Sequence, residues 1–569
     1  MPRRRRSGLR RRNLTESSAR QVIDRATKFL LRGASSQALK ILAPAIVQFP
    51  DNAAIFTRFA DALYQAGDIL GARNAYRSAL VLDESVFQAW YGCGMAEYSL
   101  GAHAHATDCL NHAAALKPED AEVRFYLGKA LFQMGEIDRA IDEFSRAAKS
   151  GGMQRQAVRQ IAVIIPGSAS RGNREILQAR RASAALEEKF ERPAGAGKIR
   201  RPGRSGKLRI GYVSSFFRDR NWMKPVWGAI NHHDRSSFEI HLFADQGDPT
   251  SQSGYRKHSS DFVHSITGLS NAAAARRIAR AGIDVLVDLN SYSAPDRLGI
   301  FMCHPAPAIA AWFNAYATTG IGAFDCIIGD AEVIPPSEER FYAEQVARVP
   351  GSYLAFSVLY PVPAVEPPPS VKNGYVTFGC LAPLYKIVPE VIAAWAQILR
   401  AAPTARLLLK SSQLHDAAIR AAVLAKFSRL EIASERLLLE EPEEHFDFLK
   451  AYSRVDIALD TFPYNGGTTT MEALWQGVPV LTFSGDRWVG RISRSILAAA
   501  ELAEWVEPLL KAYIDRAVRL AVSPGTCHEL ASMRGRMRDQ LQRSAACDSA
   551  TLCRELERRY RLMAKNLQG

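Results

Sequence analysis

The sequence predicts an array of paired antiparallel helices followed by two α/β domains, each built on a parallel sheet covered by helices. Three observations predict it. Glycines and alanines recur at a 34-residue spacing through the first 150 residues. From Leu208 onward short apolar runs alternate with helix-like stretches. A proline-rich segment, VPAVEPPPS at 362–370, divides those runs into two sets.

The chain has 569 residues. At roughly 100–200 residues per domain it holds three or four domains, each long enough to bury a core. With 47% hydrophobic and 23% charged residues, disordered, collagenous and mainly coiled-coil classes are excluded. No run of about 18 uncharged apolar residues occurs, so no membrane span is expected. The 8 cysteines are scattered and form no C-x-x-C pair. That argues against a structural zinc site or a disulfide scaffold and points to a reducing cytoplasm. The net charge of +15 includes seven arginines in MPRRRRSGLRRR, and without them +8 remains. Residues 1–18 read as a disordered basic tail. No apolar run follows it, so it does not read as a secretory signal. A nucleic-acid partner is not expected.

Residues 19–152 carry the repeats, in units of about 19–52, 53–86, 87–120 and 121–154. Gly33, Gly67, Gly101 and Gly135 mark the turns, and Ala38, Ala72, Ala106 and Ala140 follow each by five residues. Large residues come next (Leu42, Tyr76, Leu110, Phe144), then Ala45, Ala79, Ala113 and Ala147. Phe59, Cys93 and Leu127 stand in the first helices of their units. Small residues at two fixed points let two helices approach closely, and the large residue fills the gap between them. The pattern resembles the tetratricopeptide repeat, whose concave groove binds peptides or proteins.

Residues 153–206 read as a helical linker. It is broken at IIPGSASRGN and ends in the Gly-, Pro- and Arg-rich stretch 192–207. GAGK in that stretch lacks the spacing of a phosphate loop and follows a helix rather than a strand, so it is rejected as one. In the first α/β domain, 207–361, the apolar runs are 208–215, 239–245, 284–290, 308–314 and 326–330. In the second, 371–545, they are 375–380, 406–410, 436–441, 456–461 and 478–483. Helices are expected between them, at 271–281, 388–401 and 443–453 among others, and a C-terminal helix at 546–569. Strands and helices alternating at this spacing specify two Rossmann-like parallel sheets, with ligands at the carboxyl ends of the strands. Neither half has G-x-G-x-x-G, which disfavours a dehydrogenase.

The chemistry concentrates in DIALDTFPYNGGTTTMEALWQGVPVLTF, 456–483. Asp460 ends a strand. Phe462, Pro463 and Tyr464 form a turn. Asn465, Gly466 and Gly467 allow backbone conformations with positive φ and a close approach to a ligand. Thr468, Thr469 and Thr470 then open a helix. Free N–H groups, hydroxyls and the helix dipole converge there on an anion site sized for a diphosphate. Glu472, in the first turn, is placed to accept both hydroxyls of a ribose.

On this stretch the chain resembles the O-linked N-acetylglucosamine transferases, the glycosyltransferase family 41 type, whose bacterial and plant members have nearly the same FPY-x-G-x-TTT-x-E string, many with Asp in place of the Glu. IGYVSSFF (210–217), HPAPAIAAWFNAYATTG (304–320), LYKI (384–387) and GDRWVGRISRSIL (485–497) extend the resemblance. It implies a repeat array joined to a GT-B fold of two Rossmann-like domains. It also implies an inverting, metal-independent enzyme without a cofactor, moving N-acetylglucosamine or another hexose from a UDP-sugar to protein Ser/Thr. The protein or peptide acceptor would dock through the repeat groove. By the same resemblance Lys386 contacts the diphosphate and stabilises departing UDP. Thr468–Thr470 hold the phosphates, Glu472 binds ribose, and Phe448 stands against the uracil.

Where such enzymes have a histidine after the first strand of the first domain, this chain has Arg220, in FFRDRNWMKPVWG, with the nearest histidine at His232. His304 is retained beside a proline. CLAP (380–383) replaces the polar loop before Lys386. A D-x-D metal motif is absent from the sequence. A transferase acting on a glycan, lipid or small molecule is the alternative enzyme reading, and a repeat scaffold with a degenerate catalytic domain is the non-enzyme one.

Overall fold

Helices that are too small-faced to bury a core alone make up the first part of the chain, and two parallel sheets make up the rest. The computed structural model describes residues 3–149, 151–191, 206–250, 253–441 and 443–566. Residues 192–205 of the Gly-, Pro- and Arg-rich stretch expected at 192–207 lie outside them. Two compact units result: residues up to Ala157 with Asp416–Ala422, and Val158–His415 with Val423–Gly569.

In the first unit the paired helices are Arg3–Leu30 with Ser35–Gln48, Ala53–Gln65 with Ile69–Leu82, Phe87–Ser99 with His103–Leu116, and Ala121–Gln133 with Ile137–Ala147. The four turn glycines have φ of 71°, 89°, 78° and 76°, a conformation that a Cβ would strain. The alanines five residues later are fully buried, as are Leu42 and Leu110. The close approach is visible at Gly94 and Gly128, where a Cβ would come within 2.6 Å of Leu110 and 2.8 Å of Phe144. The first helix begins at Arg3, so the arginine-rich residues expected as a tail continue that helix; no proline interrupts the run, and arginine is a good helix former.

In the second unit, strands β1 (Leu208–Ser214), β2 (Phe238–Ala244), β3 (Phe262–Ser265), β4 (Val285–Asp288), β5 (Ala308–Ala311), β6 (Cys326–Gly329) and β7 (Gln345–Arg348) form one sheet in the order β3-β2-β1-β4-β5-β6-β7. Strands β8 (Thr377–Cys380), β9 (Arg406–Lys410), β10 (Leu437–Glu440), β11 (Ile457–Leu459), β12 (Val480–Phe483) and β13 (Val506–Glu507) form the other in the order β10-β9-β8-β11-β12-β13. All pairings are parallel. The ten expected apolar runs each contain a strand. The three further strands, β3, β7 and β13, are edge strands, half-exposed along their length.

Two helices, Gln154–Ile164 and Asn173–Glu191, precede β1. The second is docked rather than loose: the buried Arg180 donates to Ala162 O, Ala315 O and Thr318 O at 3.2, 3.0 and 2.7 Å and lies 4.0 Å over the Tyr292 ring. The lobes around the two sheets are bound by charge pairs. Arg491 grips Glu338 with both terminal nitrogens, at 3.0 and 2.6 Å, and Ser495 donates to Asp330 at 2.6 Å. The last helix, Ser549–Asn566, returns to the first lobe, where Glu557 accepts from Asp234 N at 2.9 Å and the Tyr560 and Tyr212 hydroxyls meet at 3.2 Å. Among the described residues no helix is long and apolar enough to cross a membrane.

Candidate active site

Sheet order decides where the site lies. In the second sheet β8 and β11 are neighbours although β9 and β10 come between them in sequence. Connections therefore leave β8 and β11 in opposite directions and open a crevice at their carboxyl ends. A cavity of about 580 Å³ occupies it, in the size range of small-molecule sites. The second lobe supplies most of the wall, and the first lobe contributes Asn221, Trp222, Pro225, Phe313, Asn314 and Tyr316 among others.

After β8 the chain makes a short helical turn, Leu384–Lys386, that carries Lys386 into the cavity wall. Its Nζ donates to Asn465 O at 2.8 Å and lies 3.9 Å over the Tyr464 ring. Burial lowers its pKa to about 8, against the raising effect of the Asp460 charge. After β11, Asp460 ties the next loop. Its Oδ1 accepts from Thr461 N at 3.0 Å and Gly466 N at 2.8 Å, and its Oδ2 accepts from Thr482 Oγ1 at 2.8 Å. The helix Thr468–Trp475 follows, and no side chain caps its start. Gly467, Thr468 and Thr469, at the start of that helix, line the cavity, and an uncapped helix start attracts an anion.

Of the nine site residues expected from sequence, Lys386, Phe448, Asn465, Gly467, Thr468, Thr469 and Glu472 line this cavity. Gly466 and Thr470 do not. The Thr470 hydroxyl is buried and bonded to Ser493 Oγ at 2.8 Å, so it stabilises the helix start from behind. The left-handed conformations that these residues allow are not used: Gly467 has φ −135° and neither Asn465 nor Gly466 is left-handed. Gly466 is needed for space, since a Cβ there would come within 2.5 Å of Thr470 Oγ1 and 2.8 Å of Thr469 Oγ1.

Glu472 is buried, and Oε1 of its carboxylate is already engaged. It pairs with Lys224 Nζ and lies 2.9 Å from His445 Nε2. Oε1 of the carboxylate expected to accept both ribose hydroxyls is thus held by Lys224 and His445. Burial alone would push the Glu472 pKa up, but the His445 hydrogen bond and the Lys224 charge outweigh it and hold it below the usual value.

Three residues near the site were not foreseen. Lys224 lies on the helix Arg220–Asn231; the signal was Asp219, whose side chain caps the helix by accepting from Trp222 N at 3.0 Å. His445 is one helical turn before Phe448 and so shares its face. Lys410, the buried last residue of β9, donates to Glu443 at 2.8 Å on the cavity wall. Arg220 and His304 are not among the residues that line the cavity, and His232 turns its Nδ1 to Gly228 O at 2.7 Å. Among the described residues, one group of three His, Cys, Asp or Glu side chains brings its ligand atoms close together, His233, Cys553 and Glu557. It lies off the cavity wall, with His233 bonded to Glu557 at 2.9 Å and to the Tyr212 hydroxyl at 2.8 Å.

The glycosyl transferase family 41 model matches residues 169–357 and 370–556 of this chain. The chain belongs to glycosyl transferase family 41. Its family-matched segments contain both sheets and every wall residue named above. A probable UDP-N-acetylglucosamine–peptide N-acetylglucosaminyltransferase SPINDLY of Solanum lycopersicum is 30% identical over 361 residues, 63% of this chain and 38% of that protein. The SPINDLY protein of Hordeum vulgare is 32% identical over 361 residues, again 63% and 38%. The chain thus spans about two fifths of the length of these curated relatives. A solved structure of a mutant Thermobaculum terrenum O-GlcNAc transferase is similar with a TM-score of 0.76 and 30% identity, covering 91% of this chain and 98% of that one. That likeness spans the helical repeat array and both parallel-sheet domains, the GT-B architecture expected from the sequence.

Proposed function

We propose that this family 41 protein is a UDP-sugar-dependent glycosyltransferase that moves N-acetylglucosamine, or another hexose, to Ser/Thr of a protein acceptor with inversion. The observation that carries the reading is the placement of the Lys386 ammonium, 2.8 Å from Asn465 O, beside the uncapped start of the helix Thr468–Trp475. As the acceptor hydroxyl attacks the anomeric carbon, the bond from that carbon to the β-phosphate oxygen breaks and negative charge collects on the diphosphate. A fixed ammonium and fixed helix amides meet that charge without reorganising, which is how such sites lower a barrier. Lysine and helix suffice for this role, so no metal is assigned. Glu472 would take the ribose, and Phe448, with His445 stacked at 6.5 Å, would bound the uracil.

The repeat array would dock the protein acceptor, as the notched, curved face of such arrays binds extended chains. A cytoplasmic setting is inferred from eight cysteines without a disulfide. The test is a thermal-shift panel followed by UDP release. UDP at 100 times its dissociation constant should stabilise the protein by about 2.7 kcal/mol; a larger shift with NAD or ATP than with UDP rejects the assignment. Mass spectrometry of a lysate labelled with UDP-sugars then identifies acceptor and sugar.

A further inference from the structure

Glu472 is reached from the opposite lobe. Lys224, on the first lobe's helix Arg220–Asn231, sends its Nζ to Glu472 Oε1, and His445 Nε2 is 2.9 Å from both of these atoms. One imidazole nitrogen serves one partner at a time: with a lone pair it accepts from Lys224, and with a hydrogen it donates to Glu472. The Tyr360 ring closes over Lys224 at 4.3 Å and meets His445 edge-on at 5.1 Å. Lys224 and Glu472 are each only 5% exposed.

Stability does not account for this group. A buried ion pair contributes no more to folding than apolar side chains of the same volume would, and it is costly as soon as one partner is lost. What a buried pair adds is position. Lys224 itself is not on the cavity wall, whereas its neighbours Asn221, Trp222 and Pro225 are. Its charge is therefore felt in the cavity through Glu472.

We propose that Lys224 is a positioning residue: with His445 it holds Glu472 by Oε1, presents Oε2 to the sugar of the bound nucleotide, and makes nucleoside recognition in the second lobe depend on the first lobe being closed over it. The proposal rests on the nucleotide-binding reading above and goes beyond it in naming the group that sets the carboxylate.

The experiment measures UDP and inorganic pyrophosphate binding by calorimetry, and donor KM and kcat, for the full chain and three variants: Lys224→Met, Glu472→Gln and the double variant. Lys224→Met should weaken UDP by about 10–100-fold, the loss of a well-placed hydrogen bond to a charged group. Donor KM should rise with kcat at saturating donor nearly unchanged, and pyrophosphate affinity should stay the same. In the Glu472→Gln background the lysine change should alter UDP affinity by no more than about twofold, because a residue acting through another has nothing left to act on. The double variant leaves no unpaired carboxylate buried, so it serves if Lys224→Met alone folds poorly. Equal UDP affinity in wild type and Lys224→Met, a parallel loss of pyrophosphate binding, or a further additive loss in the double variant overturns the proposal alone. A wild-type protein that binds no UDP overturns the nucleotide reading and this proposal with it.

Discussion

Raising the pH should strip the protein of UDP affinity through one residue. The pKa of Lys386 is lowered to about 8, mainly by burial. A bound diphosphate adds negative charge beside the ammonium and must raise that value. The free protein therefore loses its Lys386 proton as pH passes 8, while the complex keeps it. Affinity is complete below about pH 8 and falls above it, by a limiting tenfold per pH unit, which is 1.36 kcal/mol. A group with a pKa of 8 is about one-eleventh protonated at pH 9, so UDP should bind roughly tenfold more weakly there than at pH 7. The diphosphate does not confuse the reading, since its last ionisation lies near 6. Calorimetry in buffers of different ionisation enthalpy should also show a proton taken up on binding at pH 8.5. Lys386→Met should bind UDP more weakly with no such slope. A wild-type affinity that is flat from pH 7 to 9, or the same slope in the variant, would refute the assignment of Lys386 to the diphosphate.

Further outcomes are expected. Lys386→Ala should lower turnover by about 10²–10³ with the fold intact, the usual loss of one preorganised partner of developing charge, and added EDTA should leave wild-type turnover unchanged; full inactivation by the chelator would contradict the lysine mechanism. Gly466→Ala, whose Cβ would sit 2.5 Å from Thr470 Oγ1, should weaken UDP binding far more than Gly467→Ala, whose nearest neighbour is Ile492 at 3.5 Å; equal effects would show that the cradle has room. Thr470→Val should cost about 0.5–1.5 kcal/mol of stability through the lost Ser493 bond, with UDP affinity kept, as denaturation and titration would show. Removing residues 1–152 should spare UDP binding, because repeats contact mainly their neighbours, and should slow transfer to protein acceptors; undiminished transfer would remove the docking role.

How legible each part was follows from how local its causes are. The repeats could be read position by position because their contacts are local, within one 34-residue unit as for Gly128 against Phe144 or between adjacent units as for Gly92 against Tyr76. Central strands could be read because both faces are buried and the run is apolar throughout, as in β9, RLLLK. The edge strands β3, β7 and β13 have one side in solvent and carry no such run. The cradle was legible because Asp460, Gly466, Thr468 and Thr469 lie within ten residues of chain. Its inner geometry was not: a glycine demanded by free space and one demanded by a left-handed backbone look the same in sequence. Lys224 was out of reach because its partner Glu472 lies 248 residues away and only the packing of two lobes brings them together.

The two sheets share a topology over six strands, yet they use their switch points differently, and this supports placing the proposed anion cradle in the second. In the first sheet the corresponding crevice is between β1 and β4. There the chain fills its own opening: Asp288 accepts from Asn290 N at 2.9 Å and Ser291 N at 3.0 Å, and Asn290 Oδ1 accepts from Ser215 N at 2.8 Å. Asp288 and Asn290 are buried, and burial raises Asp288 to about 7, so the end of β4 presents an acid rather than a cation. In the second sheet the loop after β11 turns its carboxylate, Asp460, inward to the backbone and leaves the helix start open. The loop after β8 adds the ammonium of Lys386. One crevice is thus closed by its own hydrogen bonds, and the other holds donors with too few acceptors: Lys386 leans on a backbone carbonyl, Asn465 O, and the first amides of Thr468–Trp475 have no side-chain cap. A ligand that brings two phosphates supplies the missing acceptors at both places at once.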